Sequence, residues 1–276
     1  MVEFAGHLGL TSHFAMILPG LVSVTFRQLS VDQIIAQTRA AELKGIEWGG
    51  DVHVPHGDLA HASEVALKTR DAGLAISAYG SYYRAGHDAD LLAETVVASA
   101  HALGAPIIRI WAGKLSSAEA DASYWARVAD DCRKISALAA DQGMKVVLEW
   151  HRNTLTDTAD AAARLFSAVD HPNLHTYWQP RLKTAIEKNL LDLATALPRL
   201  AGVHVFHWDA DTGARCALAE GEAAWRQYLA RLPQGLDMFA SLEFVADDDP
   251  SILSREAAVL RGLLASPQPR EPGGGI

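Results

Sequence analysis

Four residues able to ligate a hard metal ion stand at matching places in this chain. Glu149 closes the run KVVLE, Gln179 follows LHTYW, His204 lies in GVHVFH, and Glu243 follows FASL. Each ends or directly follows a short apolar stretch of the kind that forms a buried strand. Oxygen donors with one imidazole suit a hard or borderline divalent ion, Mn2+ first, with Mg2+, Co2+ or Zn2+ as alternatives. A thiolate site is not available, because Cys132 and Cys216 are the only cysteines and form no Cys-x-x-Cys pair. Every member also has a plainer reading. A Glu at a strand end can be a salt bridge, the Gln179 amide a simple hydrogen-bonding group, and a strand His a satisfied core residue.

Other groups at the same ends could meet a substrate. His151 lies two residues after Glu149 and so shares its strand face; it is a substrate contact or auxiliary base, or else it orients Glu149. Arg109 and Trp111 share one face of IIRIW. Arg109 suits a substrate oxygen or, equally, pairing with Glu47 or Glu149. Trp48 and Trp111 offer apolar walls for a C–H face, or ordinary packing between strand and helix. His53 and His56 fall in a loop that could close over a site, and His207 follows His204 closely enough to be a substrate contact or a substitute ligand.

These residues need a frame that brings strand ends together. The apolar runs are His7–Thr11, Gly45–Trp48, Leu74–Ala78, Ile107–Trp111, Lys145–Trp150, Leu174–Trp178, Gly202–His207 and Phe239–Phe244. Helical periodicity fills the gaps over Val31–Lys44, Ser63–Ala72, Ala89–Leu103, Ser117–Gln142, Thr158–Val169, Ala185–Ala196, Glu220–Leu232 and Pro250–Leu264. Ser30 reads as an N-cap, and Gly73, Gly104 and Gly143 stand where helix ends want a left-handed residue. Eight strand–helix units in strict alternation predict a parallel (β/α)8 TIM barrel of one domain over residues 1–265. A doubly wound open sheet would show a Gly-rich phosphate turn after its first strand, and GLTSHF is not one. Only the stretch 266–276, SPQPREPGGGI, reads as a disordered tail.

The 276 residues and 49% hydrophobic content are enough for a large core. A net charge of −9 argues against nucleic acid as a partner, since phosphate binding needs clustered Lys and Arg. No apolar run reaches the ~18 residues of a membrane span, and Glu3 near the start argues against a signal peptide. The expectation is a cytoplasmic protein with reduced thiols, acting on a small molecule, and compatible with a homo-oligomer.

The segments GIEWGG, IIRIWAG, VVLEWHRNTLTDT, HPNLHTYWQP, RLAGVHVFHWD and SLEF, in this order, resemble the xylose isomerase-like TIM barrels, the sugar phosphate isomerase/epimerase superfamily. The resemblance covers residues 5–265. It implies a divalent metal held by Glu, Asp, His and Glu on strands five to eight, which fall on Glu149, Gln179, His204 and Glu243. Gln179 departs from the usual Asp. It further implies proton transfer beside a carbonyl through an enediolate, with Glu149 and Glu243 on opposite sides of the substrate as acid/base groups.

The leading expectation is therefore an isomerase or epimerase acting on a sugar, ketose or cyclitol. The alternative is a lyase on the same scaffold, a dehydratase of a keto-inositol or an eliminase of a keto-glycoside. Phosphodiester cleavage of the endonuclease IV kind needs a trinuclear zinc cluster, and AYGSYYR and YWQPR lack its histidines. A sugar-binding protein without turnover is the third class, and metal content separates it.

Overall fold

The computed structural model describes residues 16–87, 91–233 and 235–265. Eight parallel strands close into a barrel: β1 Ile17–Val22, β2 Gly45–Gly49, β3 Ala75–Arg84, β4 Ile107–Trp111, β5 Lys145–Glu149, β6 Leu174–Trp178, β7 Leu200–Val205 and β8 Met238–Leu242. Each pairs with its sequence neighbours, and β1 pairs with β8 to close the ring. Eight helices follow the strands: α1 Val31–Ala40, α2 Leu59–Asp71, α3 Ala93–Leu103, α4 Ala122–Asp141, α5 Ala159–Val169, α6 Ile186–Ala196, α7 Glu222–Leu229 and α8 Leu253–Ala265. A two-stranded hairpin, His207–Trp208 with Arg215–Cys216, stands on the loop after β7.

The expected barrel is the observed one, with a different first strand. The run His7–Thr11 lies outside the described residues, as does the stretch 266–276. The barrel instead begins with ILPGLV, whose Pro19-Gly20 dipeptide breaks the apolar run that marks the other strands. Gly20 is what allows this strand to sit here. A Cβ on it would stand 2.8 Å from Ser241 Oγ inside the barrel. The other strands differ from expectation mainly at their ends. β3 is longer, because Tyr79–Arg84 continues past a register shift against β4 and carries Tyr82 to the mouth.

Local signals act as read. Ser30 caps α1 in a reciprocal box with Gln33. Gly73, Gly104 and Gly143 all adopt positive φ just past α2, α3 and α4. Alternation along the strands then separates two apolar regions. Side chains such as Leu21, Ile46, Ile108, Leu148 and Leu242 face the helices and form the main core. Ala78, Val147 and Tyr177 form a separate cluster, apart from that core. Below them Phe239 reaches toward β1 and β2, where Gly20 and Gly45 leave room for its ring. No described helix is long and apolar enough to cross a membrane.

Gly45 shows how tightly that inner floor is filled. A Cβ there would meet Phe239 Cε1 at 2.6 Å. Gly45→Ala is therefore expected to cost about 1–3 kcal/mol by overpacking, and Phe239→Leu in the same chain should recover part of it. Urea denaturation of the two single variants and the double variant checks this. Additive losses would mean that the ring and the new methyl do not meet.

Candidate functional site

Inward-facing positions at the C-terminal ends of five strands build one continuous polar network. On β2, Gly45, Glu47 and Gly49 share a face, so Glu47 enters the barrel while Trp48 faces outward. Glu47 is fully buried. Its Oε1 accepts from Arg109 Nε of β4 at 2.5 Å, and its Oε2 lies 3.0 Å from His204 Nε2 of β7. Arg109 Nη1 donates in turn to Glu149 Oε2, the last residue of β5. Trp111 Nε1 donates to the same oxygen. Gln179, just past β6, donates Nε2 to Trp150 O at 2.7 Å and to Glu149 Oε1 at 3.2 Å.

The charges follow from this contact list. Burial would raise the Glu149 carboxyl, but the Arg109 guanidinium and His204 outweigh it and hold the group well below the usual carboxylate range. Glu47 is lowered by the same balance, with burial opposed by Arg109 and His204. Burial alone would lower His204, yet the Glu243 and Glu47 carboxylates raise it well above an ordinary imidazole. Arg109 is also raised, its burial offset by Glu149 and Glu47.

The ligating atoms of Glu149, His204 and Glu243 lie within 4.8 Å of one another. His204 Nδ1 stands 3.4 Å from Glu243 Oε2 and 3.8 Å from Glu149 Oε1, and it makes no hydrogen bond. Gln179 Oε1 is likewise buried without a partner. Buried polar atoms without partners are costly, and a metal ion between the two carboxylates and the imidazole would supply a partner. Glu149, His204 and Glu243 together offer carboxylate oxygens and one imidazole nitrogen, a set that fits a hard or borderline divalent ion, with the second ring nitrogen of His204 beside the Glu47 carboxylate, while Gln179 presents its NH2 to Glu149.

Above this floor is a cavity of about 430 Å3. Its walls include Tyr82, Trp111, His151, Asn153, Asp157, Arg181, Trp208 and Phe244, with Glu149, Gln179 and Glu243 at the base. Trp111 is held on both faces: Arg84 lies 3.9 Å over its ring, and His151 stacks at 4.7 Å with planes 21° apart. His151 Nδ1 is 2.7 Å from Arg152 O. A carbonyl oxygen only accepts, so Nδ1 carries the hydrogen and, in the neutral ring, Nε2 is the acceptor. Tyr82, Asn153 and Phe244 have φ values of 56°, 59° and 58°. Left-handed backbone is strained at bulky residues such as Tyr82 and Phe244, whereas Asn153 tolerates it, and all three line the cavity.

Several expected substrate contacts lie elsewhere. Trp48 is fully buried against α2, its Nε1 donating to Thr69 Oγ1 at 3.2 Å, because alternation gives the inward position to Glu47. His53 is buried between Ser23 Oγ and Leu29 O, each 3.0 Å away, so it anchors its loop below the mouth. His207 opens the hairpin and packs against Gly221, where a Cβ would stand 2.5 Å from its Nδ1. Arg109 touches the cavity but is committed to Glu47 and Glu149. Sequence reasoning did not single out Glu47 as part of the site. Its signal was an acid between Ile46 and Trp48 in a five-residue strand with no exposed residue.

Removing the bridge tests its charge balance. Arg109→Met leaves two buried carboxylates without their guanidinium, at a cost of about 3–5 kcal/mol near neutral pH. In the wild type the depressed Glu149 adds stability above the unfolded carboxyl range, and this is lost only as pH falls through its lower folded value. In the variant the buried carboxyl is raised instead, and its penalty fades as protons return. Urea denaturation from pH 7 toward pH ~4 should therefore show the stability gap narrowing. A gap independent of pH would contradict the bridging role.

Comparison with known proteins agrees with this architecture. The family model described as xylose isomerase-like TIM barrel matches residues 35–263. A 3-dehydroshikimate dehydratase of Bacillus anthracis is 42% identical over 67 residues, 24% of this chain and 24% of that protein, so the match spans about a quarter of that relative's length. The solved structure of the probable 3-DHS dehydratase AsbF from Bacillus anthracis superposes with a TM-score of 0.68 at 24% identity, covering 89% of this chain and 99% of that one. An L-ribulose 3-epimerase structure gives a TM-score of 0.68 at 18% identity, covering 90% and 94%. With a closed eight-stranded barrel and a family match over most of its length, this chain belongs to the xylose isomerase-like TIM barrel family.

Proposed function

We propose that this chain is a carbon–oxygen lyase. It takes a proton from the carbon beside a carbonyl and expels a hydroxyl from the next carbon of a small polyhydroxylated substrate. One observation carries this reading: the two groups best placed to move protons are unequal. Glu149 already accepts from Arg109, Trp111 and Gln179, and the Arg109 guanidinium favours its ionised form, so it is the weaker base. His151 faces the same cavity with its Nδ1 hydrogen committed to Arg152 O and its Nε2 lone pair available. Epimerisation needs a proton acceptor and a donor on opposite faces. Elimination needs one group that accepts the carbon-bound proton and then protonates the departing hydroxyl.

Residues Glu149, His204 and Glu243 would hold a divalent ion, with the Gln179 amide beside them and Mn2+ or Mg2+ favoured by the carboxylate oxygens. Such an ion supplies Lewis-acid stabilisation of the carbonyl oxygen as negative charge develops there. The protein residues do the rest. Trp111 holds the His151 ring in its plane by stacking, and the cavity of about 430 Å3 suits a small ligand. His151 Nε2 takes the proton, the C–H electron pair becomes the new double bond, and the C–O bond breaks. The imidazolium returns the proton so that water leaves. Relatives named for 3-dehydroshikimate and for L-ribulose both concern hydroxylated carbonyl compounds.

A second reading follows from Glu243. It lines the cavity, with His204 Nδ1 at 3.4 Å from its Oε2. Paired with His151 across a substrate, it would support epimerisation instead.

Proton NMR in D2O with 3-dehydroshikimate and with ketoses separates the two readings. Elimination removes two sp3 resonances and creates an olefinic or aromatic one. Deuterium incorporation with every hydroxyl retained would overturn the lyase in favour of the isomerase. His151→Gln should lower kcat by roughly 10²–10⁴-fold with Mn2+ affinity unchanged, and wild-type turnover would remove His151 from the mechanism. Gln179→Asp, which adds a charged oxygen, should tighten Mn2+ binding by calorimetry. Unchanged affinity would mean that the Gln179 oxygen faces elsewhere.

A further inference from the structure

We propose that Glu47 is the positioning residue for His204: by accepting the Nε2 hydrogen it turns Nδ1 toward Glu149 and Glu243, where that nitrogen can serve as a metal ligand. The inference rests on the metal reading above and adds a residue from outside the cavity wall. Glu47 is fully buried and does not line the cavity, so no substrate contact explains it. Its Oε2 is 3.0 Å from His204 Nε2. An ionised carboxylate only accepts, so that ring nitrogen must carry a hydrogen. The opposite nitrogen then points at Glu243 Oε2, 3.4 Å away, and Glu149 Oε1, 3.8 Å away.

Three further features hold Glu47 in this role. Arg109 Nε fixes its other oxygen at 2.5 Å, which sets the plane of the carboxylate. The Tyr177 ring meets the His204 ring edge-on at 5.3 Å and 77°, which limits rotation of the imidazole. Gly80 on β3 leaves the space required, since a Cβ there would stand 2.5 Å from Arg109 Nη2 and 2.8 Å from Glu47 Oε1. A buried ion pair of this kind is poor value for stability alone, because apolar side chains of similar volume often serve as well. It does serve a metal ligand, whose second nitrogen needs a partner to fix its tautomer and raise its basicity.

The test uses E47Q, which keeps the shape but offers one accepting oxygen to two donors. Mn2+ titrated calorimetrically into the folded variant should bind about 10–100-fold more weakly than to wild type. In the Zn2+-loaded, 15N-labelled protein, the wild-type His204 Nε2–H proton should resonate far downfield, and this signature should be lost in E47Q. A purely structural role would lower the melting temperature and leave both readouts unchanged; that result overturns the proposal. If E47Q does not fold, the wild-type spectrum decides alone: a proton on Nε2 bonded to carboxylate supports the assignment, and one on Nδ1 overturns it. Wild-type protein that binds neither Mn2+ nor Zn2+ would instead overturn the metal reading on which this one rests.

Discussion

Arg109 carries the positive charge around which the site is assembled. Its guanidinium is buried between Glu47 and Glu149, and each carboxylate approaches His204 from its own side. Without that cation, two carboxylates taken out of water would have only the imidazole to offset them, and burial would push both toward the neutral acid. With it they remain ionised and aligned. Much of the arrangement at the barrel mouth can be traced to this demand. Gly80 is small because the guanidinium lies against it, and Tyr82 stands 5.0 Å over the same group.

The same bridge divides labour among groups that look alike in sequence. Glu149 and Glu243 are both glutamates at strand ends, yet they meet different surroundings. Glu149 receives donors from Arg109, Trp111 and Gln179. Glu243 has the cavity on one side and His204 on the other. A carboxylate that already accepts from three donors is a good anchor and a weak base. This leaves proton transfer to less encumbered groups, and it is why His151, held by Trp111 and Arg152 O, gains importance in the proposed chemistry.

The walls above this floor are built differently. Tyr82 inside β3, Asn153 in the loop after β5 and Phe244 just past β8 hold left-handed backbone. Phe244 is kept there by a hydrogen bond from its N–H to Thr25 Oγ1 and by Arg215 over its ring at 4.2 Å. Strain of this kind persists where surrounding contacts outweigh it. Here side chains from β3 and from the loops after β5 and β8 meet at one cavity. Proteins named as a dehydratase and an epimerase share this fold, so the fold alone does not set the reaction.

Local sequence determined most of the frame. The period of the apolar runs, the Ser30 cap and the three helix-ending glycines act between near neighbours, and the barrel follows from eight such units in order. The strand-end residues Glu149, Gln179, His204 and Glu243 were legible for the same reason, since a run shows its own end. Local pattern failed at ILPGLV, where a Pro-Gly pair hid a strand that only pairing with β8 and β2 reveals. It failed again at Trp48, His53 and His207, which stand near strand ends in sequence but pack away from the cavity. For Glu47 the sequence offered Arg109 as a pairing partner, but its contact with His204 was decided by tertiary structure alone. That partner lies 157 residues away, and no spacing along the chain can announce a contact made only when the barrel closes.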